Sequence, residues 1–149
     1  KVIICTDADV DGFQIRTLIL AMFFRLTPLL LTEHKVFIAE SPLFEITHTK
    51  GSLETTHFAY TERDKEEIIA RLDGGKVHLQ RSKGLGENEP EMMWQTTMNP
   101  VSRRLIEVVP EDKATAEKTF ELLLGKDVAD RREYIEDHGH KYIDMLDVV

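Results

Sequence analysis

The sequence predicts an α/β fold: a parallel sheet flanked by helices, followed by an α+β tail. Two observations carry this. Residues 2–5, "VIIC", form a short continuous apolar run rich in β-branched residues, the pattern of a strand buried on both faces. A dense apolar stretch at helical spacing comes next, and a second strand-like run, "KVFIAESPLFEI", follows it. Strand, helix and strand in that order make a βαβ unit, for which a right-handed crossover is the default.

Taken in order, Gly12 breaks the first run, and residues 13–31 form the helix, closing near Pro28. Pro42 marks a bulge or bend in the second strand. A hairpin follows, "LFEITHT" and "LETTHFAYT" joined by a turn at Lys50-Gly51-Ser52. Thr61 is the N-cap of the next helix, with Glu62 and Asp64 in its first turn, and Asp73-Gly74-Gly75 ends it. "KVHLQRSKG" is a short strand running into a glycine loop. Pro90 opens a helix through "PEMMWQTTM", in which Trp94, Met92 and Met93 are expected in the core. "RRLIEVV" is a strand, "DKATAEKTFELLLG" a helix ending at Gly125, and "DRREYIEDHG" a further helix before a tail.

At 149 residues the chain makes one domain or one and a half, long enough for a core. Apolar residues at 42% and charged residues at 31% are an ordinary globular balance. The lone Cys5 excludes an intramolecular disulfide, and no secretory leader opens the chain; together these predict a reducing, cytoplasmic setting. The most apolar stretch is bounded and interrupted by Arg16, Arg25 and Pro28, which predicts a buried helix and no membrane span. The net charge of −8 argues against a general nucleic-acid binder. Yet residues 105–149 hold twelve acidic against six basic side chains, so the first 104 residues carry only −2 and leave room for a locally basic surface. The chain starts at Lys1 with a strand already under way, which predicts further sequence upstream and a sheet incomplete at its N-terminus.

Asp7, Asp9 and Asp11 alternate directly after the first strand. In an extended chain alternate side chains share a face, and ligands of open α/β sheets bind at the carboxyl ends of strands. Three anions there repel one another unless a cation compensates. Oxygen ligands in small number suit Mg²⁺ completed by water and phosphate oxygens. Two other readings stay open: a solvated acidic turn capping the following helix, and an aspartate-nucleophile phosphohydrolase with Asp9 as nucleophile and Asp11 as acid/base. An EF-hand is excluded, because the twelfth position from Asp7 is Leu18 rather than Glu.

A second motif bears on the choice. "QRSKGLGE", residues 80–87, together with "TDADVDG", resembles the B subunit of bacterial type IIA DNA topoisomerases, DNA gyrase and topoisomerase IV. "IRTLIL", "FFR", "IAESPLF", "PEMMWQTTMNPVSRRL" and "DRREYIEDH" resemble the same family's carboxy-terminal region in the right order. The resemblance implies a Toprim-like (Rossmann-like) fold. Residues 1–48 would be the C-terminal half of a Toprim domain, and residues 49–149 a hairpin, the KGLGE loop and a helical tail region. It implies that Asp7, Asp9 and Asp11 hold Mg²⁺, with Mn²⁺ as an alternative, while the family's glutamate ligand lies upstream of Lys1. The nucleophilic tyrosine belongs to the partner A subunit, so Tyr60, Tyr134 and Tyr142 are expected to pack rather than react. ATP would be bound by a domain absent from this chain, and the chain alone would neither hydrolyse ATP nor cleave DNA.

The same resemblance implies that the loop carrying Arg81, Lys83, Gly84 and Gly86 lies near DNA or braces the metal site. It lacks the P-loop signature. Arg103 and Arg104 read equally as phosphate contacts or as a surface pair. Two positions depart from the family pattern: Phe13-Gln14 replaces the common Ser-His, and Asn88 replaces the common Met after "GLGE". Gln14 can hydrogen-bond but cannot titrate. The six histidines show no metal-ligand spacing beyond His138-x-His140 in the tail.

Overall fold

The computed structural model describes residues 1–82, 84–110 and 112–145. β1 (Val2–Ile4) leads through a loop into α1 (Val10–Leu26), then α2 (Pro28–Thr32), then β2 (Val36–Ala39). β1 and β2 pair in parallel, Val2 opposite Val36 and Ile4 opposite Ile38, so the expected βαβ unit is present. α1 begins earlier than its apolar pattern suggests. Asp9 is its N-cap, the carboxylate accepting the Gly12 N–H at 3.0 Å, which places Gly12 inside the first turn. The single helix expected over residues 13–31 is in fact two. Pro28 has no N–H to continue a helix but suits the first position of a new one, and it occupies that position in α2.

β6 (Leu105–Glu107) joins β2 on its other side, antiparallel, giving the order β1-β2-β6. This sheet is therefore mixed rather than parallel throughout. Its core is Ile4, Leu31, Val36 and Ile38, with Ile19, Leu20, Phe23, Phe24, Leu30 and Val108 packed around it.

The stretch expected to be one bent strand divides between two sheets. β2 ends at Ala39, and β3 (Phe44–Lys50) opens a second sheet. The link runs through buried Ser41 and Pro42. Pro42 cannot donate to a ladder, and pairing resumes at Leu43, whose N–H donates to the Ala59 carbonyl. β4 (Leu53–Ala59) and β5 (Lys76–Arg81) flank β3, all antiparallel, in the order β4-β3-β5. The hairpin turn holds Gly51 at φ 65°, as a tight reversal requires. α3 (Glu62–Arg71) covers one face, supplying Ile68 beside Leu43 and Leu72 to a separate core of Phe44, Ile46 and Ala59. Its expected cap is present: the Thr61 hydroxyl accepts the Asp64 N–H at 3.0 Å.

After β5, residues 85–87 make a short 3₁₀ turn, and α4 (Pro90–Met93) continues as a π-helical turn over residues 94–98. The wider turn buries Met92, Thr96 and Thr97 and leaves Trp94 56% exposed, which corrects the expectation that Trp94 is core. α5 (Lys113–Leu124) lies against α1, with Phe24 and Phe120 rings 5.3 Å apart and Arg25 facing Glu121 at 3.9 Å. α6 (Val128–His138) follows, and Tyr134 stacks on His138 with ring centroids 4.4 Å apart. Among the described residues no helix is long and apolar enough to cross a membrane.

Candidate functional site

The loop between β1 and α1 carries the acidic triplet. Thr6 is buried at its base, and Arg16, in the second turn of α1, donates from Nη2 to the Thr6 hydroxyl at 3.4 Å. The Arg16 guanidinium also lies 5.0 Å from the Phe13 ring centroid. Its Nε is buried and makes no hydrogen bond among the described residues. Burial pulls the Arg16 pKa down, while Glu40 and Cys5 act against that. Burial likewise pushes the Cys5 thiol up; the Ser41 hydroxyl and Arg16 oppose this and Asp7 adds to it. The net shift favours the neutral form of the Cys5 thiol.

The three aspartates meet different fates. Asp7 Oδ1 accepts the backbone N–H of Leu85 at 2.8 Å, a contact between residues 78 positions apart. Gly84 lies alongside, where a Cβ would stand 3.7 Å from the same oxygen. Asp9 Oδ1 caps α1. Asp11 stands exposed in the first turn of α1. Among the described residues no group of three or more His, Cys, Asp or Glu side chains is gathered to enclose a metal ion. The donor chemistry nevertheless fits Mg²⁺. That ion takes one or two carboxylates and fills its octahedron with water and phosphate oxygens. Oδ2 of Asp7 and Oδ2 of Asp9 accept no hydrogen bond among the described residues, so each is available to a cation.

Of the loop residues singled out by sequence, Gly84 is brought against Asp7, whereas Gly86 is exposed with open space around it. Arg81 ends β5, its guanidinium 5.8 Å from the Phe44 ring centroid. Lys83 lies outside the described residues. Arg103 is half-buried, and its backbone N–H donates to the Asn99 carbonyl. Arg104 is engaged within the chain: Nε faces Glu40 Oε2 at 3.3 Å, and the guanidinium lies 4.2 Å from the Tyr60 ring centroid. Burial raises the Tyr60 phenol, with Arg104 opposing. Thr6, Arg16, Glu40 and the Leu85 N–H were not singled out by sequence. Arg16 had a signal, a cation inside an apolar helical run, and Glu40 sits just past β2 much as Asp7 sits just past β1. A backbone donor such as the Leu85 N–H leaves no signal at all.

Comparison with known proteins gives this geometry a context. The family model described as "DNA gyrase B subunit, carboxyl terminus" matches residues 74–136. The DNA gyrase B subunit of Clostridium acetobutylicum is 44% identical over 148 residues, covering 97% of this chain and 22% of that protein. The DNA gyrase B subunit of Thermotoga maritima is 41% identical over 148 residues, covering 99% of this chain and 22% of the relative. The DNA topoisomerase 4 B subunit of Staphylococcus epidermidis is 44% identical over 138 residues, covering 93% of this chain and 21% of the relative. The chain thus spans about a fifth of the length of the curated relatives it matches. With that identity sustained across nearly all of its residues, the chain belongs to the family of DNA gyrase and DNA topoisomerase 4 B subunits.

Proposed function

We propose that this chain is the metal-holding part of an ATP-dependent type II DNA topoisomerase B subunit, acting on DNA together with an A subunit in the cytoplasm. Residues 1–48 are read as the later half of a Toprim domain, and residues 49–149 as the hairpin, KGLGE loop and helical tail. Asp7, Asp9 and Asp11 would hold Mg²⁺ or Mn²⁺, with waters and DNA phosphate oxygens completing the shell. When bound, the ion supplies charge stabilisation for the oxygen that leaves as the A-subunit tyrosine attacks the phosphodiester. The chain's own part is to collect and orient carboxylates at the end of β1. Arg81, Lys83 and the Gly84 and Gly86 backbone present positive charge and N–H groups to the DNA backbone, as Arg103 does from the turn before β6.

The observation that carries this reading is the Asp7–Leu85 contact, which joins the acidic strand end to the loop bearing Arg81 and Gly84. A cation site and a phosphate-facing loop are what strand cleavage needs side by side. ATP binding is assigned to a part of the subunit outside this chain, so the isolated chain should neither hydrolyse ATP nor cut DNA. The test is DNA cleavage by the longer B subunit assembled with its A subunit. Asp7→Ala should lower Mg²⁺-dependent cleavage by at least about 100-fold, the scale for losing one element of charge stabilisation. Cleavage at the unmodified rate would overturn the reading.

A further inference from the structure

We propose that the Leu85 backbone N–H is a positioning donor: by clasping Asp7 Oδ1 it fixes the rotamer that aims Oδ2 at the cation. This rests on the reading of Asp7 as a metal ligand. The clasp is 2.8 Å long and partly shielded from solvent, with Gly84 packed against the same oxygen. A carboxylate that turns freely loses rotamer entropy each time it binds; one held by an outer hydrogen bond does not.

The donor is itself well held. Ser82, buried at the end of β5, gives its N–H to the Leu43 carbonyl at 2.8 Å. Its hydroxyl donates to Asn88 Oδ1 at 2.6 Å, so the base of the loop is closed by a side-chain pair across six positions. Asn88 in turn donates to the Met93 sulfur at 3.7 Å, tying the loop to α4. The closure ties the segment that carries Leu85 to its neighbours on both sides, to Leu43 through Ser82 and to α4 through Asn88.

The local backbone permits a direct test. Leu85 is the first residue of its 3₁₀ turn, and Gly84 before it is extended at φ −154°, ψ 153°. Proline is tolerated at a first helical position and wants an extended predecessor. Leu85→Pro therefore deletes the N–H with little strain, and Leu85→Ala, which keeps the N–H, is the reference for the lost side chain. Mn²⁺ uptake by the assembled subunit on duplex DNA, without nucleotide, is read from the free-ion EPR signal. Leu85→Pro should raise the half-saturating Mn²⁺ concentration about 10-fold or more over Leu85→Ala, the usual scale for losing an outer-shell partner. Equal half-saturation in the two variants would overturn the proposal. Asp7→Ala is the third arm: if it binds Mn²⁺ like the unmodified subunit, the metal reading itself fails, whatever the clasp does. Should Leu85→Pro not fold, hydrogen exchange of the Leu85 amide decides. Its protection should rise with Mn²⁺ and vanish in Asp7→Ala, because linkage is reciprocal; exchange indifferent to both would overturn the clasp.

Discussion

Gly12 sets the geometry of the acidic loop by what it lacks. A Cβ there would stand 2.0 Å from the Asp7 carbonyl oxygen and 2.6 Å from its carbon, both backbone atoms that cannot swing aside. The close approach lets the Asp9 carboxylate reach the Gly12 N–H and lets α1 start directly behind Asp7. Gly12→Ala should therefore destabilise the chain by about 3 kcal/mol or more, at or beyond the upper end of ordinary overpacking. Gly86→Ala is the control: nothing lies within 4 Å of its Cβ, and stability should change by less than about 0.5 kcal/mol. Urea midpoints measure both, and equal midpoints would mean that the loop takes another path. At this scale the aspartates were legible, because acidic alternation after an apolar run is a sequence pattern. Their engagement was not. Whether Asp7 meets a cation or the amide of a residue 78 positions away depends on tertiary approach.

Elements announced by caps were read well, since a cap is a local hydrogen bond written into adjacent residues. Thr61 before α3 is the example; at the other end α3 stops at Arg71 with Leu72 as its C-cap, short of the expected Asp73-Gly74-Gly75, and Asp112 caps α5 without having been named from the sequence. Three of the differences turn on proline or on an irregular turn. Pro28 could end one helix or start another, Pro42 could kink one strand or separate two, and a π-helical turn at residues 94–98 rotates Trp94 outward. Asp112 yields an element-scale prediction. Its carboxylate accepts the Thr115 N–H at 2.8 Å; hydrogen bonding to Thr115 and Ala114 and the charge of Lys118 hold its pKa below the usual carboxylate range. A depressed folded-state pKa gives stability that is present above the unfolded value and lost as pH falls through the folded one. Amide protection of α5 should thus fall on acidification through that window. In Asp112→Asn, which caps without titrating, it should fall less. Parallel pH dependence in the two chains would show that the cap does not drive the loss.

On the scale of the whole molecule, two separate hydrophobic clusters underlie two sheets. Among the described residues, what joins them includes the link through Ser41 and Pro42, the Arg104 guanidinium of the first sheet over the Tyr60 ring beyond β4, and the Asp7–Leu85 clasp. The Arg104–Tyr60 contact leaves the Arg104 side chain half exposed and is worth about 0.5–1 kcal/mol. Removing a buried isoleucine side chain costs about 2–5 kcal/mol, several times that link. Ile46, fully buried at the centre of β3, is the residue to remove. Ile46→Ala should open β3, β4, β5 and α3 as a unit, raising their amide exchange by orders of magnitude while β1, β2 and β6 keep their protection. Leu85 sits on the loop that follows β5, so its amide should deprotect with the second sheet although its acceptor, Asp7, belongs to the first. A uniform loss across both sheets would instead mean that these links couple the cores. Aspartates on one unit and their brace on the other make cation affinity a reporter of how the two are held together, and Ile46→Ala should weaken Mn²⁺ uptake without touching a ligand.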